Sequence, residues 1–498
     1  MKLIIQGDIN KYYVQTLCMI FFPGATFGED EQESPDNPTL ELRLTPADNG
    51  IYAYAEFRYK DRICSAKKYA EYKGDTPNSK VNKIVTGAAV LAAAGELTGY
   101  RPSWGMLTGV RPSKVATEML QAGISKTRVR KIMTNEYFVI PKKSALATDV
   151  ALNEMKIIGK PDKMDCSAYI SIPFCPTRCA YCSFVSYSSR KLLNLIPDYL
   201  ERLRAELVTM FGTIRRLGLR LRTVYIGGGT PTILTSDQLD TLLGTVAENC
   251  DVSALEEYTL EAGRPDTITA EKLEVATRHG VNRISVNPQT LNNDILAAIG
   301  RAHTAEKFLE AFNIARGIGI RCINTDLIVG LPGDCFQSFS ESFDKILALR
   351  PENITVHTFC VKRAAEIRQS DVYSRYGGDA GKCVDYSQIK SIQAGYKPYY
   401  MYRQKNTVGN YENVGFALDG FEGRYNIYMM EETHSIFAAG AGAVTKLVRY
   451  GGNEAEKSII TRLFNPKYPY EYLAGDRSDD IRQKTEEFYN QYILNAGN

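Results

Sequence analysis

Several things are scarce in this chain. No apolar run reaches the ~20 residues that a membrane span needs. The best stretch, Ile84 to Gly95, is short, rich in small residues and ends at Glu96. Asp8 and Lys11 stand where a signal peptide would place its apolar segment, so a cytoplasmic protein is expected. Charge of one sign is lacking too. Sixty Lys and Arg face 57 Asp and Glu, a net of +3, which leaves no global basic field for nucleic acid. Cysteine is thin, with 11 in 498 residues and an odd count, so a secreted disulfide scaffold is not expected and metal or redox spacing is. Long repeats and low-complexity tracts are missing.

What is present is ordinary globular material, 44% hydrophobic and 23% charged. At roughly 100–200 residues per domain, the length suggests two to four domains. Residues 1–160 mix strands (Leu3 to Ile5, Leu40 to Leu44, Ile51 to Tyr59) with an Ala-faced helix over Lys80 to Leu97, an α+β domain. Two Arg-Pro-Ser triplets, at Arg101 and Arg111, read as turns before helices; anion binding there is the weaker reading. Gly159 to Lys163 reads as a linker.

From Ala168 short apolar runs alternate with amphipathic stretches. The runs are Tyr169–Ile172, Val224–Ile226, Tyr258–Glu261, Arg283–Val286, Asn324–Ile328 and Ile354–His357. Helical stretches such as Leu193–Leu217 and Ser236–Glu248 lie between them. This alternation predicts an α/β fold with a parallel sheet and crossover helices. Six units fit an open partial (β/α)6 barrel over 166–376; eight would close it. Residues 377–498 are less regular, with many tyrosines and with Gly440 and Gly442 close together, and are expected to form a smaller C-terminal domain.

Eight of the cysteines stand alone and read as small buried hydrophobes. The other three, Cys175, Cys179 and Cys182, are spaced C-x3-C-x2-C on a loop after the first barrel strand. Three thiolates so placed can bind three irons of a cubane cluster and leave the fourth open, as a catalytic metal site requires. Zinc would need a fourth ligand, and no second C-x2-C or nearby His pair exists. Chance spacing is the remaining alternative.

The stretch YISIPFCPTRCAYCSF, then VYIGGGTPT, LEAGRP, NRISVNPQT, GRAHT and DLIVGLPGD, resembles the radical S-adenosylmethionine (radical SAM) enzymes. Among them it is most similar to oxygen-independent coproporphyrinogen III oxidases, and YYMYRQKN with NVGFALDG resembles their HemZ-type branch. The resemblance implies one [4Fe–4S] cluster on Cys175, Cys179 and Cys182, with S-adenosylmethionine on the unique iron. Reductive cleavage would yield a 5′-deoxyadenosyl radical. The family's cofactor-binding residues map onto Tyr169, Gly228, Gly229, Thr230, Glu261, Gln289, Arg301 and Asp326. Tyr181 is expected to shelter the cluster and contact adenine, and Cys360 lies at a matching backbone-contact position.

Bare glycine backbone allows close approach of a cofactor. Glu261 suits the ammonium and sulfonium charges, Arg301 a carboxylate, and Gln289 and Asp326 ribose hydroxyls. His303 and His357 are the histidines nearest the expected mouth. The implied activity is oxidative decarboxylation of coproporphyrinogen III propionates to vinyl groups, giving protoporphyrinogen IX in heme biosynthesis, with an electron donor and acceptor as further partners. The best-known oxidases of the family carry a cysteine where Phe184 stands, and a heme-chaperone branch shares that departure. A heme-binding chaperone and a heme-modifying radical methyltransferase are therefore the competing readings.

Overall fold

The computed structural model describes residues 1–28, 34, 36–72, 74, 76–182, 186–360, 369–404, 407–451 and 458–494. Phe184 falls outside them, as do Arg363 and Lys405, which on sequence grounds could meet propionates or be solvated surface charge. The chain divides into two compact units, Met1–Leu152 with Met401–Glu412, and Asn153–Tyr400 with Asn413–Asn498.

The first unit carries a four-stranded sheet in the order β1 (Lys2–Gln6), β2 (Thr39–Ala47), β3 (Gly50–Tyr59), β4 (Arg62–Glu71). Alternation along β2 and β3 buries Leu40, Leu42, Ala53, Ala55 and Phe57 on one face. These join one core with Val85, Ala89, Val90, Ala93 and Ala94 of helix Asn78–Thr98, and with Val14, Leu17 and Cys18 of helix Lys11–Phe21. The two Arg-Pro-Ser triplets part ways. Arg111 precedes helix Pro112–Gln121, where proline sits in the first turn and gives up no helical hydrogen bond; Arg101 leads only into a turn.

Buried charge also marks this unit. Lys143 Nζ donates to Glu412 Oε1 at 2.6 Å, and Trp104 Nε1 donates to Glu412 Oε2 at 2.8 Å. Arg403, a candidate propionate partner or solvated surface charge on sequence grounds, is 4% exposed; its guanidinium donates to Leu107 O and Asn410 Oδ1.

The second unit is built on β5 (Asp165–Ile172), β6 (Arg220–Gly228), β7 (Glu257–Glu261), β8 (Arg283–Ser285), β9 (Cys322–Val329) and β10 (Asn353–Thr358). They pair in that order, all parallel. Helices Ile196–Arg216, Ser236–Asn249, Ala270–Arg278, Ala305–Ile318 and Phe336–Leu349 make the crossovers. The α/β alternation read from the sequence is thus a six-strand parallel run.

The later strands are β11 (Lys397–Arg403), β12 (Glu412–Ala417), β13 (Ser435–Ala439), β14 (Val444–Arg449) and β15 (Ile459–Phe464). They extend the same sheet, in the order β11-β12-β10-β9-β8-β7-β6-β5-β13-β14-β15. β13 pairs parallel with β5, Ser435 against Cys166 through Ala439 against Ile170. Residues 413–498, read from sequence as part of a separate C-terminal domain, therefore share a compact unit and a sheet with the barrel strands. Gly440 follows β13 at φ +100°, and a Cβ there would lie 2.6 Å from Ser171 O. Only glycine lets this turn close on the end of β5.

Candidate active site at the strand ends

In open parallel sheets, ligands bind beyond the carboxyl ends of the strands. Most of the residues singled out from the sequence lie there. The cysteine loop leaves β5 and is fastened to its neighbours through the backbone. Cys175 N–H donates to Tyr187 O at 3.0 Å, Ala180 N–H to Ile299 O at 3.0 Å, and Cys182 N–H to Cys179 O at 3.1 Å. At the end of β6, Gly229 N–H donates to Ile172 O at 2.8 Å and Thr230 N–H to Phe174 O at 2.7 Å. A Cβ on Gly229 would sit 2.4 Å from Phe174 O, so the glycine turn is required for this contact. Gly228 beside it has φ +106°.

Cys175 and Cys179 are buried thiols and Cys182 is half-buried. Burial pushes the Cys175 thiol up; the Thr230 hydroxyl, at 3.3 Å from its sulfur, pulls the other way. Arg264 Nη1 donates to Cys179 Sγ at 3.5 Å. Three thiols on one short loop, two of them beside a donor, fit a cluster whose sulfurs carry negative charge. Among the described residues, no three His, Cys, Asp or Glu side chains gather as they would around one metal ion. A cubane asks instead for one thiolate on each of three irons.

Inside the sheet a polar ladder takes the place of the aliphatic layers that fill a closed barrel. Asn324 Nδ2 donates to Asp326 Oδ1 at 2.8 Å and to Ser285 Oγ at 3.3 Å, and Thr355 Oγ1 donates to Asn324 Oδ1 at 3.0 Å. His357 Nε2 lies 3.5 Å from Asp326 Oδ2. Burial opposes ionisation of Asp326, but the His357 hydrogen bond and charge, with Asn324 and Thr355, outweigh it and hold the carboxyl low. Glu261 closes β7 and accepts from the Tyr225 hydroxyl. Burial first, then the charge of Asp326, push Glu261 up to about 8 against Arg283 and Ser285.

Gln289 sits at φ +68°, a left-handed backbone that a non-glycine residue rarely takes. It is pinned there by Gln289 N–H to Asp326 O at 3.0 Å and Ile328 N–H to Gln289 O at 2.9 Å. Its Oε1 is buried without a partner. An orphaned acceptor on a strained residue marks a place where a ligand donor belongs.

Arg301 is buried, with Nε donating to Tyr181 OH at 3.1 Å and Nη1 to Gly263 O at 2.9 Å. It thus braces Tyr181 between the second and third cysteines. Tyr169, half-buried on β5, stacks on Tyr225 and Tyr425, with centroids 6.2 and 6.3 Å away, and Tyr225 stacks on Tyr425 at 4.6 Å. Cys360 follows β10 by two residues and is half-buried. His303 is buried; burial, then Arg301, pull its pKa down to about 4, so the imidazole is neutral.

Three contributors were missed in the sequence: Tyr225, Asn324 and Arg264. Each lies in or next to a quoted motif, but nothing in its residue type separates a site role from packing.

The parallel strand order, the cysteine loop and the glycine turn place the chain in a class. The pattern of the Radical SAM superfamily matches residues 169–346. Over 382 residues the chain is 38% identical to the oxygen-independent coproporphyrinogen-III oxidase-like protein HemZ of Bacillus subtilis, covering 75% of each chain. It is 33% identical over 317 residues to the heme chaperone HemW of Bacillus subtilis, 61% of this chain and 77% of that one. Among solved structures, coproporphyrinogen III oxidase (HemN) from Escherichia coli, a radical SAM enzyme, shares the fold. The TM-score is 0.50 at 20% identity, over 66% of this chain and 72% of that one.

The chain belongs to the radical SAM superfamily and, within it, to the coproporphyrinogen oxidase-like family that includes HemZ. Membership implies a [4Fe–4S] cluster and S-adenosylmethionine. Among the described residues no helix is long and apolar enough to cross a membrane.

Proposed function

We propose that the chain is a radical SAM oxidoreductase that decarboxylates propionate side chains of coproporphyrinogen III to vinyl groups. The orphaned Gln289 Oε1, on a residue whose N–H is held by Asp326 O, carries the cofactor part of this reading. The similarity to HemZ supports the substrate.

Cys175, Cys179 and Cys182 are the cluster ligands. The bound cluster and S-adenosylmethionine supply a radical able to take a hydrogen atom from the propionate β-carbon. The chain's residues bind and orient. Gly228, Gly229 and Thr230 expose backbone to the methionyl end. Glu261 offers a carboxylate to the cationic centre once it gives up its proton. Gln289 and Asp326 accept from the ribose hydroxyls. Tyr169, Tyr181 and Cys360 wall the pocket, and Arg301 fixes Tyr181 by its 3.1 Å hydrogen bond. For each propionate, the hydrogen atom, carbon dioxide and one further electron leave, the electron passing to an external acceptor.

A second reading is heme binding without turnover, favoured by the 33% identity to HemW. One anaerobic experiment separates them. The reconstituted protein receives reductant, S-adenosylmethionine and coproporphyrinogen III, and the products go to mass spectrometry. Loss of the elements of formic acid per propionate, with 5′-deoxyadenosine, supports the decarboxylase. Cofactor cleavage with an intact tetrapyrrole overturns it, and stoichiometric heme uptake without turnover supports the chaperone.

A further inference from the structure

Arg264 has no part in the cofactor-binding scheme, yet its placement is specific. It follows β7 by three residues and is 3% exposed. On one side Asp266 holds it fork to fork, Nε to Oδ1 at 3.0 Å and Nη2 to Oδ2 at 3.1 Å. On the other side the guanidinium reaches the cysteine loop. Nη2 donates to Thr177 Oγ1 at 3.0 Å, and Nη1 reaches Thr177 O at 3.4 Å and Cys179 Sγ at 3.5 Å.

A buried arginine needs a carboxylate and good geometry to offset its desolvation, and Asp266 provides both. That pair does not need the sulfur. A neutral thiol is a weak acceptor, whereas a thiolate is a strong one. The remaining N–H is thus aimed at an atom that becomes a good partner only when it is ionised.

We propose that Arg264 is a positioning residue for the iron–sulfur cluster, donating to the Cys179 thiolate and making the cluster easier to reduce. The inference rests on the reading of Cys179 as an iron ligand. Hydrogen bonds to cluster sulfurs and nearby charge are among the factors that set such potentials. Reduction adds a negative charge, and a fixed cation beside it favours the reduced state. Asp266 moderates the effect, because its carboxylate neutralises part of the guanidinium charge. Thr177 sets the angle of the fork.

The test uses the full chain reconstituted anaerobically as wild type, Arg264→Gln, Arg264→Lys and Asp266→Asn. Iron content and visible absorbance establish loading. The midpoint potential is then read by redox titration followed by electron paramagnetic resonance, without S-adenosylmethionine. Arg264→Gln is expected to shift it more negative and Asp266→Asn more positive, with Arg264→Lys between Arg264→Gln and wild type. A structural role alone does not give shifts of opposite sign. Unchanged potentials in loaded variants, or shifts of one sign in Arg264→Gln and Asp266→Asn, overturn the proposal. Should Arg264→Gln take up no cluster, Asp266→Asn decides alone: a positive shift supports the proposal, and no shift or a negative one overturns it. Wild type that binds no cluster overturns both this proposal and the ligand assignment. A loaded wild type with unresponsive variants overturns Arg264's role only.

Discussion

Glu261 is kept protonated at neutral pH in part by Asp326. Both carboxyls end up in the same polar interior, but Asp326 has His357, Asn324 and Thr355 to stabilise its charge, whereas Glu261 meets burial and the Asp326 charge itself. Two acids with divided environments take divided protonation states.

The first prediction concerns pH. Glu261 is raised from an ordinary 4.5 to about 8. Between those values the folded chain keeps a proton that the unfolded chain has released, so Glu261's contribution to stability falls as pH rises through that window. Glu261→Gln should flatten the pH dependence of the apo protein's Tm between about pH 5 and 8. A cationic ligand reverses the balance by favouring the carboxylate. S-adenosylmethionine binding near pH 7 should therefore release a proton, seen by calorimetry in buffers of different ionisation enthalpy. Glu261→Gln should abolish that release and weaken binding about tenfold, which is ~1.4 kcal/mol. Equal proton release and affinity in both proteins would remove the role.

The second prediction concerns the cluster. Cys179→Ala should lose the broad visible absorbance and most of the iron after reconstitution, because the remaining two thiolates cannot hold the cubane. Cys335→Ser, at an exposed cysteine outside the loop, should retain both. Retained iron and absorbance in Cys179→Ala would sink the ligand assignment.

The six barrel strands were legible because buried parallel strands read as short apolar runs between amphipathic helices. The expected runs and the observed β5–β10 coincide within a few residues at each end. The partnership of β13 with β5 was not legible, since 267 residues separate Ser167 from His434, whose side chains meet at 2.8 Å just where that pairing begins. Arg264 was equally hidden. An arginine beside a proline and two residues from an aspartate looks like any surface turn, and only the tertiary contact with Cys179 sets it apart. The cysteine loop was legible because its spacing is chemically distinctive, whereas the glycine turn and Glu261 stood out only through motifs that resemble the family's.

The third prediction sets stability against binding. Gln289 Oε1 is buried with no partner, and such a group costs about 1–3 kcal/mol. Gln289→Met keeps the length of the side chain and removes the orphan. The apo protein should gain up to ~1 kcal/mol in chemical denaturation, while S-adenosylmethionine affinity falls about tenfold with iron content unchanged. A variant less stable than wild type with unaltered affinity would mean that Gln289 serves packing alone.

The last prediction concerns how the later strands are fastened to the barrel. Glu206 lies on helix Ile196–Arg216. The structure buries it. Its Oε2 accepts from Gly440 N–H at 2.9 Å and from the Tyr472 hydroxyl at 2.5 Å, and its Oε1 accepts from Asn465 Nδ2 at 2.6 Å. One carboxylate thus gathers three separate pieces of residues 413–498 onto a barrel helix. Tyr199, seven residues and about two helical turns earlier, works beside it by donating to Ser171 O at 2.7 Å and accepting from Ala441 N–H at 2.9 Å. Glu206→Ala strands three buried donors at once and leaves a cavity, so a loss of about 3–5 kcal/mol is expected in denaturation. Glu206→Gln keeps the shape and one acceptor but turns an amide NH2, itself a donor, toward donors, and should cost less, about 1–3 kcal/mol. Because Gly440 lies directly on Ser171 at the end of β5, the strand that leads into the cysteine loop, the weaker variant should also load less iron than wild type at equal protein concentration. Full iron loading in a destabilised Glu206→Ala would show that the later strands support the fold without steadying the loop.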